Sequence, residues 1–171
     1  MSGSLPYRPN VGAVLFDTQG RVFVARRAQF PNAEGPAGGW QLPQGGIDPD
    51  EDPRRAVLRE LAEEIGTDRA EIIDEHQEWL TYELPPELLG RALGGRYRGQ
   101  RQRWFALRFL GSDADIRLDA DPNPEFDAWR WVALAELPGL AVAFKRPIYE
   151  TLAVAFARHA RPHSPASERP A

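Results

Sequence analysis

The chain of 171 residues contains no cysteine, which removes thiolate nucleophiles, cysteine–zinc sites and disulfide scaffolds at once. Histidine is nearly as scarce. His159 and His163 lie in or beside a Pro- and Ser-rich tail, so His76 is the one histidine expected inside the fold, and a histidine general base is poorly supplied. No serine stands in a G-x-S-x-G turn, which disfavours a serine hydrolase. No apolar run reaches the roughly 20 residues of a membrane span, and the opening MSGSLPYRPN has no hydrophobic signal core. A cytoplasmic protein without a membrane partner is expected. The formal net charge of −4 is not the basic balance of a nucleic-acid-binding domain, and no DNA partner is expected. Lysine is present only as Lys145, and six of the arginines fall between Arg91 and Arg108 with no acid among them, so that segment is expected to be strongly positive. The sequence carries no signal of oligomeric state.

What is present fits one soluble domain with its own core. Asn10 to Asp17 is apolar and β-rich, the turn residues DTQG follow, and Arg21 to Arg27 alternates, which predicts a hairpin. Ala28 to Gly39 is rich in Pro and Gly and reads as an exposed loop, either a surface insertion or a cover for a substrate mouth. Further strands are expected at Trp40–Pro43, Glu78–Leu84, Gln102–Leu110 and Trp129–Val132, and a helix over Arg146–Ala160. Residues 1–7 are expected to be a flexible N-terminus, 8–158 the domain, and 159–171 a disordered tail.

One helix is bounded unusually clearly. Asp52 suits the N-cap, Pro53 the first helical position and Gly66 the position past the last turn. At about 100° per residue, Glu60, Glu63 and Glu64 share one third of its circumference, while Val57, Leu58, Leu61 and Ile65 take a separate arc. Three carboxylates within a turn repel one another by a few tenths of a kcal/mol per pair. A hard divalent cation such as Mg²⁺, which takes carboxylate oxygens together with substrate phosphates, would reverse that sign.

From Gly45 onward the spacing is a glycine, five residues, Glu51, seven residues, then RELAEEIG. This resembles the signature of the Nudix hydrolase family; its final apolar position is here Thr67, a departure that touches helix-end packing. The resemblance implies an α/β fold, a mixed β-sheet sandwiched between α-helices. It implies hydrolysis of a phosphoric anhydride with two or three Mg²⁺ or Mn²⁺ ions, held by Glu60, Glu63 and Glu64 and approached by Gly45. Arg59 is implied to pair with Glu51 and to hold the loop against the helix.

Beyond that signature, YRPNVGAVLFD, WQLPQGGI, GQRQRWFAL, NPEFDAWRWV and FKRPIYE are similar to the RNA pyrophosphohydrolase and dinucleoside polyphosphate hydrolase branch of the family. On that resemblance Glu125 either completes the metal site or takes a proton from the attacking water. Arg8, Arg27, Gln44 and Lys145 are implied to contact substrate, and Phe144 to stack on a base. The implied substrate is 5′-triphosphorylated RNA, with a diadenosine polyphosphate as the alternative and a noncatalytic RNA- or nucleotide-binding module as a further one. The run Arg91–Arg103, with Tyr97 inside it and Trp104 after it, is either a holder of single-stranded nucleic acid or a solvated loop leading into a buried strand.

Overall fold

The computed structural model describes residues 5–27, 39–120, 122, 124 and 126–163. Glu125, most of the loop read at Ala28–Gly39 and the tail past His163 lie outside the described residues, as do residues 1–4.

The order of elements is β1 (Tyr7–Phe16), β2 (Val22–Arg27), β3 (Trp40–Gln41), β4 (Gln44–Gly46), α1 (Pro53–Ile65), β5 (Ala70–Glu75), β6 (Leu80–Glu83), β7 (Gly99–Phe109), β8 (Phe126–Val132), α2 (Leu137–Leu140) and α3 (Arg146–Ala155). The expected hairpin is present. Asp17 Oδ1 accepts from the backbone N–H of Gln19 and of Arg21 at 2.9 and 2.8 Å, the side-chain mimicry of a turn that Asp performs well. Gly20 takes φ 78°, where a Cβ would meet Arg161 N at 2.3 Å.

The strands form one eight-stranded mixed sheet. At its centre β1 runs parallel to β7 from Tyr7↔Gly99 to Phe16↔Arg108, whereas β4, β2, β5 and β6 pair antiparallel with these two. Because strand side chains alternate between faces, Val11, Ala13, Leu15, Phe105 and Leu107 pack against α1 with Ala56, Val57, Leu61 and Ile65. The other face carries Val14, Phe16, Trp104 and Ala106, which pack against α3 through Ile148, Tyr149 and Leu152. A sheet between helices is thus observed, with one core on each face.

The helix ends are those the sequence predicts: Asp52 Oδ1 accepts from Arg54 N at 3.0 Å, Pro53 opens the first turn, and Gly66 closes it at φ 79°. Thr67 is buried, and its hydroxyl accepts from Arg69 N at 3.1 Å.

Three expectations need correction. Strand β5 lies where no strand is expected, because AEIIDE lacks clean alternation. His159 is folded in, not part of a loose tail: its ring lies 6.1 Å from Phe16 and 6.2 Å from Phe156, and Nε2 stands 2.9 Å from Asp74 Oδ2. Its partner is distant in sequence, so local composition could not reveal it. The arginine segment is less positive than its own sequence suggests, because Glu83 and Glu75, on other strands, pair with Arg98 and Arg103.

Candidate active site

Strand β4 is the divider of the site. Consecutive residues face opposite sides of a strand, and here two glycines make room on both. A Cβ on Gly45 would stand 2.0 Å from the carboxyl carbon of Glu60, and one on Gly46 would stand 2.5 Å from an Arg8 guanidinium nitrogen. The glycines therefore admit an acid on one side and a cation on the other, a closer reason than the general approach to metal or phosphate expected of them.

On the α1 side, Arg59 organises the acids. Its guanidinium makes a two-pronged contact with Glu51, Nε to Oε2 and Nη2 to Oε1 both at 2.8 Å, and Nη2 also donates to the Gly46 carbonyl at 2.9 Å. Nη1 donates to Glu60 Oε1 at 2.9 Å and to Glu63 Oε1 at 3.2 Å. The implied Arg59–Glu51 pair is thus in place, and the loop is tied to the helix through backbone as well as side chain. The Glu60 side chain is 12% exposed and that of Glu63 51%. Glu64 is buried at the inner edge of the same stripe.

The donor set is carboxylate and backbone carbonyl oxygen, the chemistry a hard divalent cation takes, and Gly45 leaves the Glu60 carboxylate uncrowded by the strand. Among the described residues no three ligating side chains are already gathered into a metal-holding cluster; Arg59 spans Glu60 and Glu63. Glu125 lies outside the described residues; its neighbour Phe126 is paired with Arg27 across β8 and β2.

The opposite side holds a small, polar, aromatic-walled cavity lined by Gln44, Gln102, Trp104, Lys145, Ile148 and Tyr149. Lys145 is 5% exposed, with its Nζ 5.5 Å from the Tyr82 ring centre and 6.0 Å from that of Phe144. Phe144 and Tyr82 stand 5.4 Å apart. Arg8, Gln44, Phe144 and Lys145 therefore border one region, while Arg27 sits at the bulge of β2 against β8.

The amides behind this cavity form a network that no local pattern in the sequence marks. Trp104 Nε1 donates to Gln102 Oε1 at 3.0 Å, and Gln102 Nε2 lies 3.0 Å from Gln44 Oε1, Gln100 Oε1 and Asn10 Oδ1. An indole N–H can only donate, so it fixes which end of the Gln102 amide faces Gln44. Asn10, fully buried, was missed; a buried polar residue paired with Gln102 across β1 and β7 needs knowledge of the parallel register.

The pH response of the Arg59 knot follows from its geometry. Hydrogen bonding from Arg59, then the backbone N–H of Asp48, lowers the Glu51 pKa from 4.5 to about 2. A folded-state pKa below the unfolded value contributes stability that is full above about pH 4.5 and is lost as pH falls toward about 2. Urea unfolding between pH 5 and 2.5 is expected to show a steeper loss of stability for the native chain than for Glu51→Gln. Parallel curves for the two would contradict this contribution.

A NUDIX domain model matches residues 6–152, and the chain belongs to that family, whose members generally use divalent metal ions. Its similar relatives include an RNA pyrophosphohydrolase of Gluconacetobacter diazotrophicus, 62% identical over 94% of this chain and 98% of that one. Another RNA pyrophosphohydrolase, from Rhodospirillum rubrum, is 53% identical over 94% and 93% of the two chains. Among solved structures, a MutT protein from Methanosarcina mazei shares the fold at TM-score 0.65 and 24% identity, covering 89% of this chain and 96% of its own. An Ap4A hydrolase of C. elegans does so at 0.60 and 20%, covering 88% and 98%. Among the described residues no helix is long and apolar enough to cross a membrane.

Proposed function

We propose that the chain hydrolyses a phosphoric anhydride bond at the 5′ end of triphosphorylated RNA, releasing pyrophosphate or phosphate. The observation that carries this reading is the pair of glycines in β4. They put the Glu60 carboxylate and the Arg8 guanidinium on opposite sides of one strand, and β4 pairs only with β1 among the described strands, so a chain of phosphates passing its other edge would meet both. The names of the relatives supply the substrate class.

Glu60, Glu63 and Glu64, with the Gly45 carbonyl and Glu125, would hold two or three Mg²⁺ or Mn²⁺ ions. When bound, such ions activate water, orient the polyphosphate and neutralise charge on the leaving group. Arg59 neutralises Glu51 and keeps the glycine loop against the helix. Arg8 and Arg27 bind phosphate oxygens through their forked donors. Lys145, as a compact charge, and Gln44 contact the substrate, and Phe144 stacks on a base. A carboxylate is the base on hand, because α1 brings its acidic stripe to β4, while His76 and His159 are set against the Glu78 carbonyl and Asp74. Such an enzyme works in the cytoplasm, where its RNA substrate is.

The test is a matched measurement of kcat/KM, with Mg²⁺, on 5′-triphosphorylated RNA and on a diadenosine polyphosphate. RNA is expected to be favoured by more than about tenfold, or about 1.4 kcal/mol of transition-state discrimination. The reverse preference would make the dinucleotide the substrate. Binding without product across a broad nucleotide panel would reduce the chain to a binding module.

A further inference from the structure

The segment between β6 and β7, residues 84–98, is a long connection with a 3-10 turn of its own at Ala92–Gly95. It is tightly built. Leu84 N donates to the Arg98 carbonyl at 2.8 Å, Arg98 N to the Pro6 carbonyl at 2.9 Å, and Ala92 N to the Leu88 carbonyl at 3.0 Å. Gly90, Leu93, Gly94 and Gly95 all take positive φ, which curls the backbone back on itself. Leu88, Leu89, Ala92 and Leu93 pack into the same core as Tyr82 and Phe144, so apolar side chains anchor the loop. Arg91 and Arg96 remain exposed. Neither has an ion-pair partner among the described residues. Arg96 lies 5.9 Å over the Tyr97 ring, and Arg98 4.8 Å over that of Tyr7.

Loose charge on a fixed platform, interleaved with aromatic rings and anchored in the core that Tyr82 and Phe144 share, suits one kind of ligand. An unpaired ribonucleotide strand offers a phosphate per nucleotide for arginine and a π-face per base for tyrosine. We infer that the Arg91/Arg96 loop is a landing strip for single-stranded RNA downstream of the 5′ end, one that a dinucleoside polyphosphate is too short to reach. This rests on the reading of the chain as an enzyme of RNA 5′ ends. Arg101 serves as an internal comparison. It is also exposed and stacked, 4.3 Å over Trp79, but strand alternation puts it on the other face of β7 from Gln100 and Gln102.

The experiment compares Arg91→Ala/Arg96→Ala and Arg101→Ala with the native chain on three substrates: a triphosphorylated dinucleotide, a triphosphorylated strand of about twelve nucleotides, and diadenosine tetraphosphate. The double variant is expected to lose about tenfold in kcat/KM on the long strand and to stay within about twofold on the two short substrates. Arg101→Ala is expected to be native-like on all three. Equal losses on every substrate, no loss on the long strand, or an equal effect of Arg101→Ala would overturn the inference. If no RNA is hydrolysed, the proposed activity fails by itself, and the strip is then decided by anisotropy with an unreactive 5′-hydroxyl strand of the same length. There the double variant is expected to flatten the slope of log affinity against log salt by about 1.4, since each contacted phosphate contributes about 0.7. An unchanged slope, or no binding by the native chain, overturns it.

Discussion

Glu64→Gln is expected to lower kcat by at least about 100-fold, since even residues that merely support a metal ligand cost 10–100-fold when changed. The thermal transition should remain close to that of the native chain. Gln has the shape of Glu, so the buried space that Glu64 fills stays filled while a carboxylate is lost from the acidic stripe. Glu63, half exposed on the same stripe, gives the complementary measurement: its Gln variant should also lose turnover, with even less structural consequence. Calorimetry of Mn²⁺ binding alongside steady-state kinetics separates the two effects. Near-native turnover by Glu64→Gln would remove the stripe from the chemistry.

The second large effect is on stability. Trp104 is 1% exposed and lies over Gly12, where a Cβ would stand 2.3 Å from its ring. It meets Tyr149 edge-on at 6.3 Å, and its indole N–H holds Gln102. Trp104→Ala is expected to cost about 4 kcal/mol, in the range of buried Trp and Phe truncations, and to lower Tm by about 10 °C for a domain of this size. Trp104→Phe keeps most of the volume but loses the donor, so its smaller deficit should appear partly as a raised KM, through the Gln102–Gln44 contact. A melting curve for Trp104→Ala within about 2 °C of native would show that the cavity collapses or that the ring is not where the core needs it.

The acidic helix was legible in the sequence because its information is local: the cap at Asp52, the proline at Pro53, the glycine at Gly66 and the angular spacing of three glutamates all lie within one short stretch. The Arg59–Glu51 pair was legible for the same reason, through the family resemblance. What escaped depends on register between distant strands. Asn10 meets Gln102 only because β1 and β7 run parallel, His159 meets Asp74 only after the chain has passed through every strand, and Glu75 cancels Arg103 from a neighbouring strand. Strand β5 escaped for another reason: its residues are all half-buried, so no alternation marks it. The wide arginine run was seen, but its division into paired and unpaired guanidiniums is a property of the sheet.

The parallel ladder between β1 and β7 also has a kinetic side. Tyr7 must find Gly99, and Phe16 must find Arg108, so the centre of the sheet closes only after most of the chain has been synthesised. Until then β1 has the local hairpin partner β2 on one flank and bare amides and carbonyls on the other. A topology so dominated by non-local pairing places this protein among the slower folders of its length, and its nascent chain depends on remaining dispersed while that flank waits.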